Sequence, residues 1–334
     1  MPKISIENLE QAVSNTLVAA GASAAMARAT AKALVLAEAQ GIGSHGLARV
    51  VQYATHLRNG RANGWAKPEV LGGSDKAAFV VDALNGLAFE ACECAVAEAM
   101  RRAKIHGIAL AGVVRSHHAG VLVDHLRPVA HAGMVALAMT NSPGAMPMAG
   151  GKRAVFGTNP IAAIFPRGHQ QDPLMIDLSM SEVARGKLMM AKHEGRSIPL
   201  GWALDADGTP TTDPAVGMSG LMLPLGASSS AKGAMLALVV EIMVSALIGA
   251  QFSYEASTFF VPEGNQPGSG QTFMVIDPGA LAGQASYFER LEELISLMGS
   301  DPEVRLPGER RLVLERRARV EGVEVAREVL DRLG

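Results

Sequence analysis

The chain has 334 residues, with 30 Lys and Arg against 32 Asp and Glu, a net charge of -2. That near-balance excludes a nucleic-acid groove or a polybasic membrane surface, both of which need a basic excess; 49% hydrophobic against 19% charged residues excludes intrinsic disorder. Only 4% of the residues are aromatic while Gly contributes 36, so ligand contact is expected through backbone and small polar groups rather than ring stacking.

Residues 6–40 carry helical periodicity through Leu9, Val13, Leu17 and an alanine-rich run, which predicts two helices broken at Gly21. A third helix is expected after Gly43, through Leu47, Val50, Tyr53 and Leu57, stopping at Asn59-Gly60. A loop follows at Asn63-Gly64 and Pro68, then a strand at 78–83 and a helix at 87–105 ending on Gly107. Cys92 and Cys94 lie in that helix with no second Cys/His pair at ligand spacing, so they read as small helix residues in a reducing cytosol and no metal site is expected. The apolar runs Ile108–Val114, Val135–Met139, Ala162–Phe165, Leu174–Ile176 and Phe273–Ile276 predict strands. Helices are expected at 118–131, 181–194, 232–249, 285–299 and 318–333. The interleaving gives an α/β or α+β architecture without internal repeats.

The first residues, Met1 to Ser5, lack the basic flank and apolar run of a signal peptide. The one apolar run of membrane length, 231–250, has Glu241 at its centre, which is expensive in lipid. It reads as a helix buried in a soluble, cytoplasmic protein.

Gly41–Gly46 matches G-x-G-x-x-G, but a helix precedes it and no Asp follows at the required distance, so it is not a dinucleotide fingerprint. Ser44 instead takes an N-cap-like position on the third helix, and His45 and Arg49, spaced i,i+4, share one face. Arg49 would grip a small carboxylate bidentately while His45 moves a proton at the next carbon; the competing reading is a capped helix with a surface His and Arg. Ser116-His117-His118-Ala119-Gly120, opening the helix 118–131, has three readings: an anion contact, a metal site or a capped surface turn. Gly157-Thr158-Asn159-Pro160 is a turn with polar groups that suit a substrate, and Asp177 ends a strand on its carboxyl side. Gly226–Gly233 feeds the long apolar helix and suits a phosphate with Lys232, although it is not a Walker A loop. Arg305–Arg311 is a tight basic turn.

Together SHGLARV at 44–50, RSHHAG at 115–120, FGTNPIA at 156–162, IDLSMSEVARGK at 176–187 and GWALDADGTPTTDP at 201–214 resemble the malate/L-lactate dehydrogenase-type oxidoreductases. AKGAMLALVVEIM at 231–243, GQTFMVIDPG at 270–279 and RLPGERR at 305–311 extend the resemblance over nearly the whole chain. It implies an NAD(P)-binding fold that is not of the Rossmann type, around a large mixed, partly antiparallel sheet. It further implies a helical domain from 1–75 with 285–334, a connecting α/β segment 76–120, an NAD(P)-binding sheet domain 121–284, and a homodimer. By the same resemblance His45 is the proton donor/acceptor, assisted by Ser44; Arg49 holds the substrate carboxylate, and Thr158 lies near the substrate. His117, His118, Ala119, Gly120, Val121, Asp177, Leu178, Ser179, Lys232, Arg305, Pro307, Gly308, Glu309 and Arg310 would surround the dinucleotide, with NADPH favoured.

Two departures stand out within the resemblance. Ser228-Ser229-Ser230-Ala231-Lys232-Gly233 replaces a Gly-Gly-His-Lys-Gly loop, and Lys187 stands where the ketimine reductases carry an Asp relayed to the Ser-His pair. The reaction implied is hydride transfer at C2 of a small 2-hydroxy/2-oxo acid, with cyclic ketimine reduction and a non-catalytic anion-binding relative as alternatives. A second anionic group on the substrate would need another cation, for which Lys187, Arg185 and Arg115 are available.

Overall fold

A computed structural model describes residues 2–168, 171–227 and 229–333; Ser228, in the loop before the long helix, lies outside them. The chain opens with β1 (Lys3–Ile4), α1 (Ile6–Ala19) and α2 (Ala24–Ala39). Ser5 and Ser23 cap the two helices, each hydroxyl accepting a backbone N–H at 3.2 Å, from Asn8 and Met26. Leu9, Val13 and Leu17 form the buried stripe of α1. The break at Gly21 is needed sterically: φ is +104°, and a Cβ on Gly64 would fall 2.0 Å from the Gly21 carbonyl oxygen.

Next come α3 (Val50–Arg58), β2 (Glu69–Leu71), β3 (Ala78–Asp82), α4 (Ala88–His106), β4 (Ile108–Ser116), α5 (Arg127–His131), β5 (Val135–Thr140), β6 (Ile161–Phe165) and β7 (Leu174–Leu178). After α6 (Arg185–His193), a small antiparallel sheet is built from β8 (Ala203–Leu204), β9 (Pro210–Thr211) and, beyond α7 (Pro214–Ser219), β10 (Leu221–Met222). The chain closes with α8 (Lys232–Glu241), β11 (Ser269–Ile276), α9 (Gln284–Met298), α10 (Glu309–Glu321), β12 (Val323–Glu324) and α11 (Arg327–Leu330).

Seven strands form one mixed sheet in the order β2-β3-β4-β11-β5-β6-β7. Only β3 and β4 run parallel; every other neighbouring pair is antiparallel. Small residues on α4 (Ala91, Cys92, Ala95, Ala99) let that helix lie close on the sheet, so Cys92 is a core residue and burial pushes its thiol up. A second core joins α1, α2 and α3 to Ala318, Val323, Val325 and Leu333 from the C-terminal end. A third packs Met146, Phe156, Met180 and Leu188 against Met222 and Ala237. Helix α9 is tied to the sheet side, through Arg167–Glu292 and the Tyr287 hydroxyl donating to the Pro166 carbonyl.

Several sequence expectations are corrected. The helix expected at 318–333 lies earlier, at 309–321, bracketed by Gly308 at φ +94° and Gly322 at φ +83°. Residues 117–121 are not helical; a 3-10 turn begins at Leu122 and leads into α5. The long apolar helix is α-helical only to Glu241 and finishes in a π turn, Ile242–Ala246. The stretch after Gly43 forms two 3-10 turns, Gly43–His45 and Leu47–Arg49, before α3.

Candidate active site

Gly46 explains that last correction. A Cβ there would sit 2.3 Å from Glu38 Oε2, and the Glu38 carboxylate accepts the Leu47 N–H at 2.8 Å. Glu38 therefore takes the capping position that the sequence assigned to Ser44, and Ser44 caps nothing. Burial holds the Glu38 carboxyl above its usual range. His45 and Arg49 are consequently not two positions of one regular helix. They are brought together by the turn itself, where the Arg49 Nε–H donates to the Ser44 carbonyl at 2.7 Å.

The Ser44 hydroxyl lies 3.0 Å from His45 Nδ1, leaving Nε2 without a protein partner among the described residues. Burial and the adjacent Arg49 guanidinium lower the His45 pKa to about 4, so the free imidazole is neutral near pH 7. His118 stacks on His45, with ring centroids 5.4 Å apart, and its Nδ1 lies 2.6 Å from the Tyr53 hydroxyl. The Gly120 N–H also donates to that Nδ1, which fixes it as an acceptor and places the proton of neutral His118 on Nε2.

His117 is fully buried. Its Nε2 lies 2.9 Å from His56 Nδ1, while its own Nδ1 has no partner among the described residues. Beside it Arg61, also buried, donates to the carbonyls of Ser257, Thr258, Val261 and Asn265. It thereby straps the segment 257–265 across α3. That strap carries Phe259, against the rings of His117 and His118, and Phe260, under the Arg49 guanidinium. The ring-poor composition misled here: two of the nine Phe residues sit at this site.

Residues 177–182 connect the remaining predicted positions. Asp177 accepts the Val123 N–H at 3.0 Å, next to the His117–Val121 turn, and burial raises its carboxyl to about 6. The Met180 N–H donates to the Thr158 carbonyl, and the Leu225 N–H to the Met180 carbonyl, which brings the Gly226–Gly233 loop and Lys232 alongside. Leu178 is exposed, and the Ser179 hydroxyl bonds Ser181. Thr158 is set by its N–H on the Ser142 hydroxyl, and Asn159, at φ +40°, is held by Glu241 at 2.8 Å. The Met175 N–H donates to the Pro307 carbonyl, and Gly308 packs so tightly on Met175 that a Cβ would lie 2.7 Å away. Pro307 and Glu309 line a cleft with Arg167 and Arg316. Ser44 joins this side too, since Gly186 at the start of α6 faces its Cβ.

Lys232, Arg305 and Arg310 have no ion-pair partner among the described residues, and such cations suit phosphates. Asp124 Oδ2 and Arg311 Nη1 are buried without partners beside Asp177. Sequence reasoning missed Glu38, Tyr53, His56, Arg61, Phe259 and Phe260; of these, Tyr53 alone had a local signal, one turn beyond Arg49.

A family model described as malate/L-lactate dehydrogenase matches residues 4–334. The chain is 43% identical over 332 residues to the (2R)-3-sulfolactate dehydrogenase (NADP(+)) of Chromohalobacter salexigens, covering 99% of this chain and 96% of that protein. The structure of delta1-piperideine-2-carboxylate reductase from Pseudomonas syringae superposes with a TM-score of 0.92 at 33% identity, covering 100% and 99% of the two chains. Sulfolactate dehydrogenase from Methanocaldococcus jannaschii gives 0.89 at 29% identity, covering 99% and 95%.

Proposed function

The chain belongs to the malate/L-lactate dehydrogenase family, and on that premise we propose that it is an NAD(P)-dependent oxidoreductase acting at C2 of a small 2-hydroxy/2-oxo carboxylate, with NADPH preferred. The observation that carries the reading is the open Nε2 of His45 beside the unpaired Arg49. Arg49 holds the carboxylate with its free Nη2 edge, while Gln52 and the Ser44 carbonyl fix the rest of the guanidinium. His45 Nε2 takes the proton of the C2 hydroxyl during oxidation and returns it during reduction, and Ser44 keeps the ring oriented through Nδ1. The nicotinamide, when bound, supplies or accepts the hydride. The strap carrying Phe259 and Phe260 narrows access of water to the same face.

Cyclic ketimine reduction is the second reading, supported by the close superposition on a piperideine-2-carboxylate reductase. The same residues would serve it, with His45 protonating nitrogen instead of oxygen. Initial rates with NADH and NADPH against sulfopyruvate, oxaloacetate, pyruvate, pyrroline-2-carboxylate and piperideine-2-carboxylate separate the readings. Turnover of ketimines alone would overturn the 2-oxo acid assignment, and no turnover of any would favour a non-catalytic anion-binding relative.

The organisation belongs to the proposal as well: a fold not of the Rossmann type, the helical unit from both termini, the sheet domain between, and a cytoplasmic homodimer. The antiparallel neighbours through most of the sheet support the first part. The exposed apolar side chains Met235, Leu236 and Val239 along α8, with Ile242 in the π turn after it, support a covered face between two copies. Among the described residues no helix is long and apolar enough to cross a membrane.

A further inference from the structure

Three cations were available for a second anionic group, and the structure separates them. Arg115 is spent: its guanidinium donates to both oxygens of Asp82 through Nε, and again through Nη2. Lys187 is exposed and, two positions after Arg185 in α6, is turned about 200° from it around the helix axis. Arg185 is different. Its guanidinium carbon lies 5.2 Å from the centroid of Phe260, and that of Arg49 lies 5.1 Å from the same centroid. The two cations share one ring, so they are separated by no more than the sum of those distances, a span that a three- or four-carbon dianion bridges.

Neither guanidinium has a carboxylate partner among the described residues. Among the described residues Arg185 makes one hydrogen bond, from Nη2 to the Met218 carbonyl at 3.0 Å, which leaves Nε and Nη1 open. Arg49 uses Nε and Nη1 and leaves Nη2 open. Both are half-buried, and burial is the first cause that lowers both pKa values. Gly186, the next residue, faces Ser44, so the start of α6 adjoins the proposed proton-transfer turn. A ligand with two anionic groups would give each of these partly desolvated cations the counter-charge that it lacks.

We propose that Arg185 selects substrates with a second anionic group: Arg49 takes the C1 carboxylate, and Arg185 takes a sulfonate or second carboxylate at the far end of the same molecule. The inference rests on the 2-oxo acid reading above and names its substrate class.

The test compares kcat/KM, with NADPH, for oxaloacetate and 3-sulfopyruvate against 2-oxobutyrate, which has one carboxylate. The wild-type protein is expected to prefer the dianions. R185Q is expected to lose about 10- to 100-fold on the dianions while 2-oxobutyrate stays within about twofold, a charge-assisted hydrogen bond being worth that factor. R185K should recover part of the loss on the dianions, and K187Q should leave the ratio unchanged. An equal fall on all three acids in R185Q, an unchanged ratio in R185Q, or a collapse of the ratio in K187Q would each overturn the role of Arg185 and leave the reaction class standing. A wild-type protein inactive on all three acids would overturn both.

Discussion

Two histidine–arginine sets lie against each other under the strap 257–265, and they differ in how many of their polar groups are already used. In the inner set, His56, His117 and Arg61 are joined to one another or to backbone, and Arg61 spends its donors on four carbonyls. In the outer set His45 Nε2, Arg49 Nη2 and two donor nitrogens of Arg185 have no partner among the described residues. Residue type does not separate the sets, since both pair imidazole with guanidinium. The guanidinium groups do: Arg61 uses its donors to hold the strap in place, whereas Arg49 and Arg185 keep donors open, as the proposed ligand contact requires. A buried cation satisfied by carbonyls is a structural device, whereas a half-buried cation with open donors is a binding one.

The comparison is broken most severely at His45. H45A is expected to lower kcat about 10²- to 10⁴-fold, the usual loss when a general acid/base is removed, with the fold intact by circular dichroism; undiminished turnover would end the acid/base assignment. At the inner set, R61M should cost about 1–3 kcal/mol of stability, read as a lower denaturation midpoint, because it leaves buried carbonyls without a donor. KM should rise in the same variant as the strap loosens. An R61M protein as stable as wild type would erase the distinction drawn here.

Acid sharpens the comparison further. His45, His56, His117, His118 and His125 all have pKa values pushed below the usual imidazole range, burial being the first cause for each. Their unfolded forms bind protons at about pH 6.5, so the stability linked to them is complete above that pH and drains away as pH falls towards 4. Asp177, raised to about 6, opposes this, as do Glu10, Glu38, Glu90 and Asp124, whose carboxyls burial also raises, while the lowered carboxyls Asp82, Glu98 and Glu315 act with the imidazoles. Thermal melts between pH 7 and pH 4 should therefore show a steady fall in Tm; a flat profile would contradict these imidazoles being buried and neutral. Smallest of all is S44A, for which a loss of no more than about tenfold in kcat is expected, since it removes an orienting hydrogen bond and leaves the proton carrier. A loss in S44A as large as that in H45A would make the hydroxyl a reacting group.

The local parts of this architecture were legible from residue order, and the non-local parts were not. Leu9, Val13 and Leu17 announce α1, and apolar runs between turn residues announce five strands of the large sheet, β4, β5, β6, β7 and β11. The spacing of His45 and Arg49 was read as helical because Gly46 is silent in sequence; its meaning appears only when the Glu38 carboxylate is found pressed against it. The alternating charges around 318–333 imitate a helix, but Gly322 ends α10 before most of them. Arg61 had no readable role at all, since its partners are backbone carbonyls about 200 residues further along the chain. The family resemblance supplied the list of site residues. The structure adds backbone links among some of them: Asp177 accepts the Val123 N–H, Met180 bonds Thr158 and Leu225, and Met175 donates to Pro307.

Strand β11 has a consequence for how the molecule is made. It sits in the middle of the large sheet, pairing with β4 through Val113 and with β5 through Thr140, yet it is the last of the seven strands to be synthesised. Until Ile276 leaves the ribosome, β4 and β5 each present a row of unpaired backbone groups to a gap that only β11 closes. Such edges attract foreign strands, and a nascent chain waiting at this stage is exposed to misassembly. Chains terminated before Ser269 lack the strand that pairs with both edges, and are expected to aggregate more readily than the full chain.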